Sequence, residues 1–244
     1  MVNPYKESAG NKKDQVTLMF DNIAWRYDFL NHFLSLGTDR RWRKKAIGLL
    51  SEVSPKKILD VACGTGDLAI EALKLKPAVI IGVDISEGML AKGREKLERK
   101  NLEKIITLIQ GDSEALQFDD QTFDAAMVAF GVRNFEDLKK GLAEILRVLK
   151  PGGLLVVLEF SKPRNFLFKN IFNFYFFRIL PFFGRLFSKD MSAYSYLPAS
   201  VNAFPDRVDF LEIMKKTGFT DTGYEELTMG IACLYHGKKE LFTK

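Results

Sequence analysis

Hydrophobic residues along this chain follow two different spacings, which predict strands and helices in alternation. Short apolar runs, typical of buried strands, lie at 56–63, 78–84, 105–112, 123–131 and 154–160. Amphipathic segments, typical of helices, lie at 65–76, 86–100 and 135–149, with more helix expected within 14–50 and over 204–218. This alternation indicates a mostly parallel sheet with helices on both faces.

The last two predicted strands, 219–227 and 230–239, are separated by a very short connection. A parallel crossover needs roughly a dozen residues, so these strands should pair antiparallel at the edge of the sheet. We therefore expect a single α/β domain with a seven-stranded, mostly parallel sheet. Its predicted parts are an N-terminal helical cover (1–50), a core (55–162), an aromatic helical insert (163–204) and a C-terminal helix and strand pair (205–244).

The first predicted strand ends in DVACGTGDLA, where Gly64 and Gly66 are followed at once by helix. Without a Cβ, these glycines let the backbone turn sharply and let a ligand approach closely. Asp84 ends the second strand, where a carboxylate can accept both hydroxyls of a ribose. Asp112 and Ser113 follow the third strand, where they could hold an adenine edge. Together these positions predict a nucleotide-like ligand at the carboxyl ends of the strands.

The class of that ligand has to be decided by charge, because GTGDLA also satisfies the loose fingerprint of NAD-binding proteins. Asp60 lies just before the turn, and Asp67 lies where a pyrophosphate would sit at the start of the helix. Negative charge there disfavours an anionic cofactor and favours a cation. S-adenosylmethionine carries a sulfonium and an ammonium and no phosphate, so it fits best. An NAD-type oxidoreductase is the least favoured alternative, because antiparallel C-terminal strands supply no second mononucleotide half.

Composition narrows the function classes further. The formal charge of +5 comes from 36 basic and 31 acidic residues without a basic tail, so no nucleic-acid partner is expected. Cys63, Cys233, His32 and His236 show no metal-ligand spacing, so no metal ion is expected. Few cysteines and a polar N-terminus predict a cytoplasmic protein.

Several segments resemble, in order along nearly the whole chain, the menaquinone/ubiquinone biosynthesis C-methyltransferase family. They include YDFLNHFLSLG, DVACGTGDLA, FGVRN, LKPGG, LEFSKP and YSYLPAS. The glycine turn and LKPGG are shared by many methyltransferases, whereas FGVRN and YDFLNHFLSLG are much more specific. The resemblance implies a Rossmann-like class I methyltransferase domain that uses S-adenosylmethionine. The expected cofactor-binding residues are Asp60, Gly64, Thr65, Gly66, Asp84, Asp112 and Ser113.

The sequence departs from the family pattern at several positions. Cys63 replaces the first glycine of the turn, and Ala129 replaces the serine before FGVRN. Asp39 replaces a histidine, and Ser195 and Ala199 replace the arginine and glutamate of the family's YRYLPES. Most of these changes fall on the substrate side of the expected site.

The family's reaction methylates a ring carbon of a polyprenylated quinol, above all demethylmenaquinol to menaquinol, with the benzoquinol of the ubiquinone pathway as a second substrate. The alternative is a methyltransferase of another lipid or a sterol. The ring attacks once a neighbouring hydroxyl loses its proton, so the site needs a proton acceptor and a cation for the oxyanion. We expect the cation to be Arg133 and a further hydrogen-bonding group to be Asn134. The candidate proton acceptors are Tyr27, Asp28, Tyr194, Tyr196 or a water near Arg133.

The segment 165–187 contains ten aromatic residues in 23, with Lys169, Arg178 and Arg185 spaced along it. An aromatic segment with scattered cations suits transient contact with a membrane surface, from which a polyprenyl tail could be collected. A buried cap over the sheet is the alternative. We expect peripheral membrane association and no membrane span, and a homodimer is left open.

Overall fold

A computed structural model describes residues 2–5, 10–26, 37–165 and 192–241, together with positions 168, 170 and 174. The described residues contain a seven-stranded sheet in the order β3-β2-β1-β4-β5-β7-β6. Its strands are β1 (Lys57–Val61), β2 (Val79–Asp84), β3 (Ile106–Gln110), β4 (Phe123–Ala129), β5 (Leu149–Phe160), β6 (Phe219–Leu227) and β7 (Ala232–Lys239). Strands β1 to β5 are parallel, and β7 pairs antiparallel with both β5 and β6. The predicted sheet is thus confirmed.

Helices cover both faces of this sheet. Their bounds are α1 (Lys12–Ile23), α2 (Thr38–Leu50), α3 (Asp67–Ala72), α4 (Glu87–Arg99), α5 (Leu138–Val148), α6 (Ser192–Ala203) and α7 (Val208–Thr217). Successive residues of a strand point to opposite faces of the sheet. Ile58 therefore packs in the hydrophobic core under α2, α3 and α4, and Leu59 packs in the core under α5 and α7. Ser86 caps α4 by accepting a hydrogen bond from the Met89 amide at 3.1 Å, as its position predicts.

Strand order reverses between β1 and β4, and this reversal places the site. Ala62 and Phe130, which directly follow these two strands, both adopt the left-handed conformation, with φ of 53° and 58°. A Cβ at Gly131 would lie 2.6 Å from the Ala62 Cβ, so the two loops approach closely only because residue 131 is glycine. Sheets of this kind bind ligands where the order reverses.

Several element boundaries differ from the sequence-based prediction, and two of the differences have a clear structural cause. Strand β5 begins at Leu149, because Leu149 pairs with Phe123 before the KPGG segment shifts the register to Leu154 opposite Ala125. Helix α7 begins at Val208 rather than near 204, because Arg207 has a φ of 57° and its amide donates to the Tyr235 hydroxyl at 2.7 Å.

The two ends of the predicted insert, 163–204, meet at one place on the fold. The Lys162 amide donates to the Asp206 carboxylate at 3.0 Å, and the Arg207 guanidinium donates to the Lys162 carbonyl at 2.9 Å. Most of the aromatic segment 165–187 lies outside the described residues, as does the surface that it was predicted to form. Within the described ranges, none of the helices has both the length and the apolar character to cross a bilayer.

Candidate functional site

A cleft opens where the strand order reverses, at the carboxyl ends of β1 to β4. Among the described residues it is lined by side chains and backbone from these ends and from α1. Five predicted site residues are part of this lining, namely Gly64, Asp84, Asp112, Ser113 and Asn134. Four others, Asp60, Thr65, Gly66 and Arg133, lie outside the lining. Tyr27 and the side chain of Tyr194 fall outside the described residues.

The glycine turn and Asp84 are locked together by backbone hydrogen bonds. Gly64 and Gly66 have φ of 55° and 79°, which favours glycine at both positions. The Gly64 amide donates to Asp84 Oδ2 at 2.7 Å, and the Ser86 amide donates to Asp84 Oδ1 at 2.9 Å. Burial raises the pKa of Asp84 although these amides oppose the shift. The carboxylate is therefore fixed before any ligand arrives.

The two acids flanking the turn are less available than the sequence suggested. The Asp60 side chain is buried, and its Oδ2 has no hydrogen-bond partner among the described residues. Burial raises the pKa of Asp60 well above its ordinary range. Asp67 forms ion pairs with Lys96 at 2.7 Å and Arg43 at 3.2 Å. The charge of Asp67 is thus compensated within the fold and contributes little to the cleft.

Other residues give the cleft its acidity. Among the described residues of the lining, the charged side chains are four carboxylates and one amine, namely Asp84, Asp112, Glu114, Glu136 and Lys13. Glu114 is buried and accepts from the backbone amides of Glu136 at 2.8 Å and Asp137 at 3.1 Å. The cleft lining is therefore acidic, as was predicted from Asp60 and Asp67, but the acidic residues that line it are different ones.

Helix α1 lies over the cleft as a roof. Val16 and Phe20 contribute to the lining, and Lys13 pairs with Asp112 at 2.6 Å. Lys12 is buried and donates to the carbonyl of Phe135 at 2.6 Å, and burial lowers its pKa. At the other end of the helix, Asp21 accepts from the Ser86 hydroxyl at 2.5 Å and the Gly88 amide at 2.9 Å. Both ends of the roof are thus anchored by polar contacts.

Arg133 lies beside the cleft in a short 3-10 turn, Val132–Asn134. Its Nη1 donates to Glu159 Oε1 at 2.8 Å and also to the carbonyl of Phe130. Its Nε is buried and has no partner among the described residues. Glu159 is fully buried, and burial raises its pKa although Arg133 opposes the shift. The pair holds a cation close to the cleft with one unused donor.

Asn134, in the cleft wall, is oriented by a tyrosine from α6. Its Oδ1 accepts a hydrogen bond from the Tyr196 hydroxyl at 3.2 Å. Burial raises the pKa of Tyr196 to about 12, so this hydroxyl is protonated at neutral pH. Tyr196 therefore acts as a donor here and is a poor candidate for the proton acceptor.

Sequence reasoning missed Glu159 and Lys13. Glu159 had a signal, since it is a charged residue within the apolar run LLVVLEF, and buried acids require partners. Lys13 had none, because its partner Asp112 is 99 residues away in the chain.

Comparison with known proteins places this fold and cleft in a family. Demethylmenaquinone methyltransferase of Bacteroides fragilis is 49% identical over 98% of this chain and 97% of its own length. Ubiquinone/menaquinone biosynthesis C-methyltransferase UbiE of Geobacter sulfurreducens is 49% identical over 94% of this chain and 90% of its own length.

Solved structures agree on the fold. A Thermotoga maritima structure described as an S-adenosylmethionine-dependent methyltransferase, possible histamine N-methyltransferase, superposes with a TM-score of 0.60 and 20% identity. It covers 92% of this chain and 99% of that one. The model of the ubiE/COQ5 methyltransferase family matches residues 8–239. The chain belongs to the ubiE/COQ5 methyltransferase family.

Proposed function

We propose that this protein is an S-adenosylmethionine-dependent C-methyltransferase that converts demethylmenaquinol to menaquinol. The observation that carries the proposal is near full-length similarity, at 49% identity, to a protein named for that reaction. The benzoquinol of the ubiquinone pathway is a second substrate in the proposal, supported by the relative named for both quinones.

The residues of the cleft fit a cationic, phosphate-free cofactor. Its lining is acidic, and the unpartnered Oδ2 of Asp60 lies close behind the glycine turn. In the proposal Asp84 accepts the ribose hydroxyls, and Asp112 and Ser113 hold the adenine edge. The turn residues Gly64, Thr65 and Gly66, together with Asp60, hold the amino-acid end. A lining with four carboxylates and one amine disfavours the pyrophosphate of NAD.

When bound, S-adenosylmethionine supplies a methyl group that is already activated on a sulfonium. The protein must then hold the ring carbon in line with that methyl, and positioning of this kind contributes a large part of a rate enhancement. It must also favour loss of the proton from the quinol hydroxyl, which makes the ring electron-rich.

Arg133 and Asn134 are the groups that we assign to the quinol oxygens. The unused, buried Nε of Arg133 is a donor that an oxyanion or a bridging water would satisfy. In a site shielded from water such a donor stabilises developing negative charge strongly. Because Tyr196 donates to Asn134 Oδ1, the amide presents its NH2 group as the remaining donor. Tyr27 and Tyr194 stay the proposed proton acceptors, from the sequence alone.

The polyprenyl tail is assigned to the insert, 163–204, whose aromatic segment 165–187 is proposed to contact a membrane surface transiently. We also propose that the domain is divided as the sequence suggests, into an N-terminal cover, a cofactor-binding core, this insert and a C-terminal part. Both ends of the insert are tied to the fold near Phe160, which adjoins Arg133. A tail leaving a ring at Arg133 would therefore have a short path to the insert.

The test is turnover by the purified protein. Methyl-labelled S-adenosylmethionine is mixed with chemically reduced demethylmenaquinone in detergent, and labelled menaquinone is measured by mass spectrometry. The expected result is label on the naphthalene ring with the reduced substrate and none with the oxidised quinone, because the oxidised ring is electron-poor. Label only in phospholipid or sterol, when membrane extract is the acceptor, would overturn the proposal in favour of another lipid.

A second measurement tests the cofactor independently. Calorimetry should show binding of S-adenosylhomocysteine and no binding of NADH at the same concentration. Tighter binding of NADH would instead favour an oxidoreductase.

A further inference from the structure

Phe130 holds a backbone conformation that a bulky residue rarely adopts. Its φ of 58° lies in the left-handed region, which is unfavourable for a side chain with a Cβ. The conformation is held because the Phe130 amide donates to the Leu158 carbonyl at 2.7 Å and its own carbonyl accepts from Arg133. Strain of this kind persists only where the surroundings enforce it, and it is common at functional sites.

The strained residue places its ring in an aromatic wall, made of Trp42, Phe130 and Phe160. The Phe130 and Phe160 rings are 4.5 Å apart with an interplanar angle of 33°, and Trp42 lies 6.2 Å and 6.3 Å from them. Trp42 is buried, whereas Phe130 and Phe160 are partly exposed. Phe130 is also part of the cleft lining. Of the three rings only Phe130 lines the cleft, so Phe130 offers aromatic surface to a ligand there while Phe160 and Trp42 pack behind it.

The polar groups for a quinol lie next to this wall. Arg133 Nη1 and Asn134 Nδ2 both contact the carbonyl oxygen of Phe130, the latter at 3.5 Å. The Arg133 guanidinium is 5.6 Å from the centroid of the Phe160 ring. A flat ring lying against Phe130 would thus have both residues in the same small region, with the unused Nε of Arg133 and the second N–H of the Asn134 amide as donors for its oxygens.

We infer that Phe130 is the residue against which the quinol ring stacks, and that the aromatic wall favours a fused two-ring quinol over a single-ring one. The inference rests on the proposed function and adds a specificity-determining residue to it. A naphthalene ring presents more flat surface than a benzene ring, so it gains more from stacking on an aromatic side chain.

The test compares kcat/KM for reduced naphthoquinone and benzoquinone substrates that carry the same short prenyl chain. Phe130→Leu removes the aromatic face but keeps an apolar side chain, and Phe130→Tyr keeps the ring. Phe130→Gly removes the ring and also accepts the positive φ, so it serves if the leucine variant folds poorly. The matched control is Phe118→Leu, since Phe118 packs edge-on against Phe123 at 5.0 Å and is not among the residues lining the cleft.

Phe130→Leu or Phe130→Gly should lower kcat/KM for the naphthoquinol about threefold to tenfold, from the usual strength of aromatic stacking. The benzoquinol should be affected less, and the affinity for S-adenosylhomocysteine should stay within about twofold. Phe118→Leu and Phe130→Tyr should keep the wild-type preference. An unchanged preference in both Phe130→Leu and Phe130→Gly would overturn the inference. Failure of the wild-type protein to methylate either ring would instead overturn the proposed function.

Discussion

The two sides of the cleft hold their charged groups in opposite ways. On the side of β1 to β3, the carboxylates of Asp84 and Asp112 line the cleft and are held by backbone amides, such as the Glu114 amide on Asp112 at 2.8 Å. On the side of β4 and β5, Arg133 and Glu159 are buried and hold each other. The first arrangement offers negative charge to a ligand, whereas the second presents a compensated pair.

This contrast suits two different ligands. The Asp84 carboxylate, oriented by two backbone amides, can accept hydrogen bonds from a hydroxyl-bearing molecule without first breaking an ion pair, whereas Asp112 also pairs with Lys13. A compensated buried pair interacts weakly with an uncharged ring, while the unused Nε of Arg133 can still donate to the oxyanion that forms when the ring loses a proton. Substitutions on the two sides should therefore have separable effects, on ligand affinity in one case and on folding in the other.

The largest effect is expected from Glu159→Gln. It leaves the Arg133 charge buried without a counter-ion, and arginine cannot neutralise itself by losing a proton. We expect a loss of about 3 kcal/mol in the free energy of unfolding, measured by urea denaturation. The matched control is Glu144→Gln, whose partner Arg147 is about one-third exposed. This control should cost less than about 1 kcal/mol, and equal losses would contradict the contrast.

Asp84→Asn, on the side of β1 to β3, should mainly change the affinity for the cofactor. Asparagine keeps one acceptor oxygen but loses the charge and turns one amide-facing oxygen into a donor. We expect the affinity for S-adenosylhomocysteine, measured by calorimetry, to fall by about 2 kcal/mol. The free energy of unfolding should change less than the affinity, because removing a charge that burial disfavours offsets part of the cost of leaving one backbone amide without its acceptor. A large loss of stability with unchanged affinity would make Asp84 a structural residue.

The next effect is smaller and depends on pH. Burial raises the pKa of Asp60 above its ordinary value of 3.8. The protonated side chain therefore contributes its full stability below pH 3.8, and this stability is lost as the pH rises through the pKa of the folded state. Asp60→Asn cannot ionise. The variant should therefore be more stable than the wild type by about 1 kcal/mol at neutral pH, with the difference fading toward pH 4.

Asp124→Asn is the control of opposite sign. Burial would raise the pKa of Asp124, but Lys150 and two backbone amides outweigh it and lower that pKa. The ionised Asp124 carboxylate therefore stabilises the protein above its ordinary pKa of 3.8, and this stability is lost as the pH falls through the pKa of the folded state. Asp124→Asn should thus destabilise the protein at neutral pH. If both variants shift stability in the same direction across the pH range, the assignment for Asp60 fails.

The same contrast explains how much could be predicted from the sequence. The number of strands, the antiparallel last pair and the positions of Gly64 and Asp84 follow from local patterns, because each strand, turn and strand end is encoded within a few residues. The Arg133–Glu159 pair joins the 3-10 turn after β4 to strand β5, and helix α1 brings Lys13 to Asp112 across 99 positions in the chain. Such contacts depend on how elements pack, which periodicity does not report.

The left-handed conformation of Phe130 was also invisible in the sequence. Glycine at a turn indicates a positive φ, but phenylalanine does not. Phe130 holds its φ of 58° because its backbone is hydrogen-bonded to Leu158 and Arg133. The cleft lining is acidic, as was predicted, but one of the two predicted sources of that charge, Asp67, is paired with Lys96 and Arg43.

The smallest effect is expected from Lys13→Gln, which touches the cofactor side without changing its carboxylates. Lys13 forms an ion pair with Asp112, the carboxylate that we assign to the adenine edge, and the Lys13 side chain is one-quarter exposed. Removing this competitor should tighten S-adenosylhomocysteine binding by about 0.5 kcal/mol at low salt, the usual worth of an exposed ion pair. Added salt should shrink the gain, because it screens the wild-type pair. Lys92→Gln, in an exposed pair with Glu95 on α4, should change nothing. Weaker binding by Lys13→Gln would mean that Lys13 anchors the roof over the cofactor, so that its contact helps the ligand instead of competing with it.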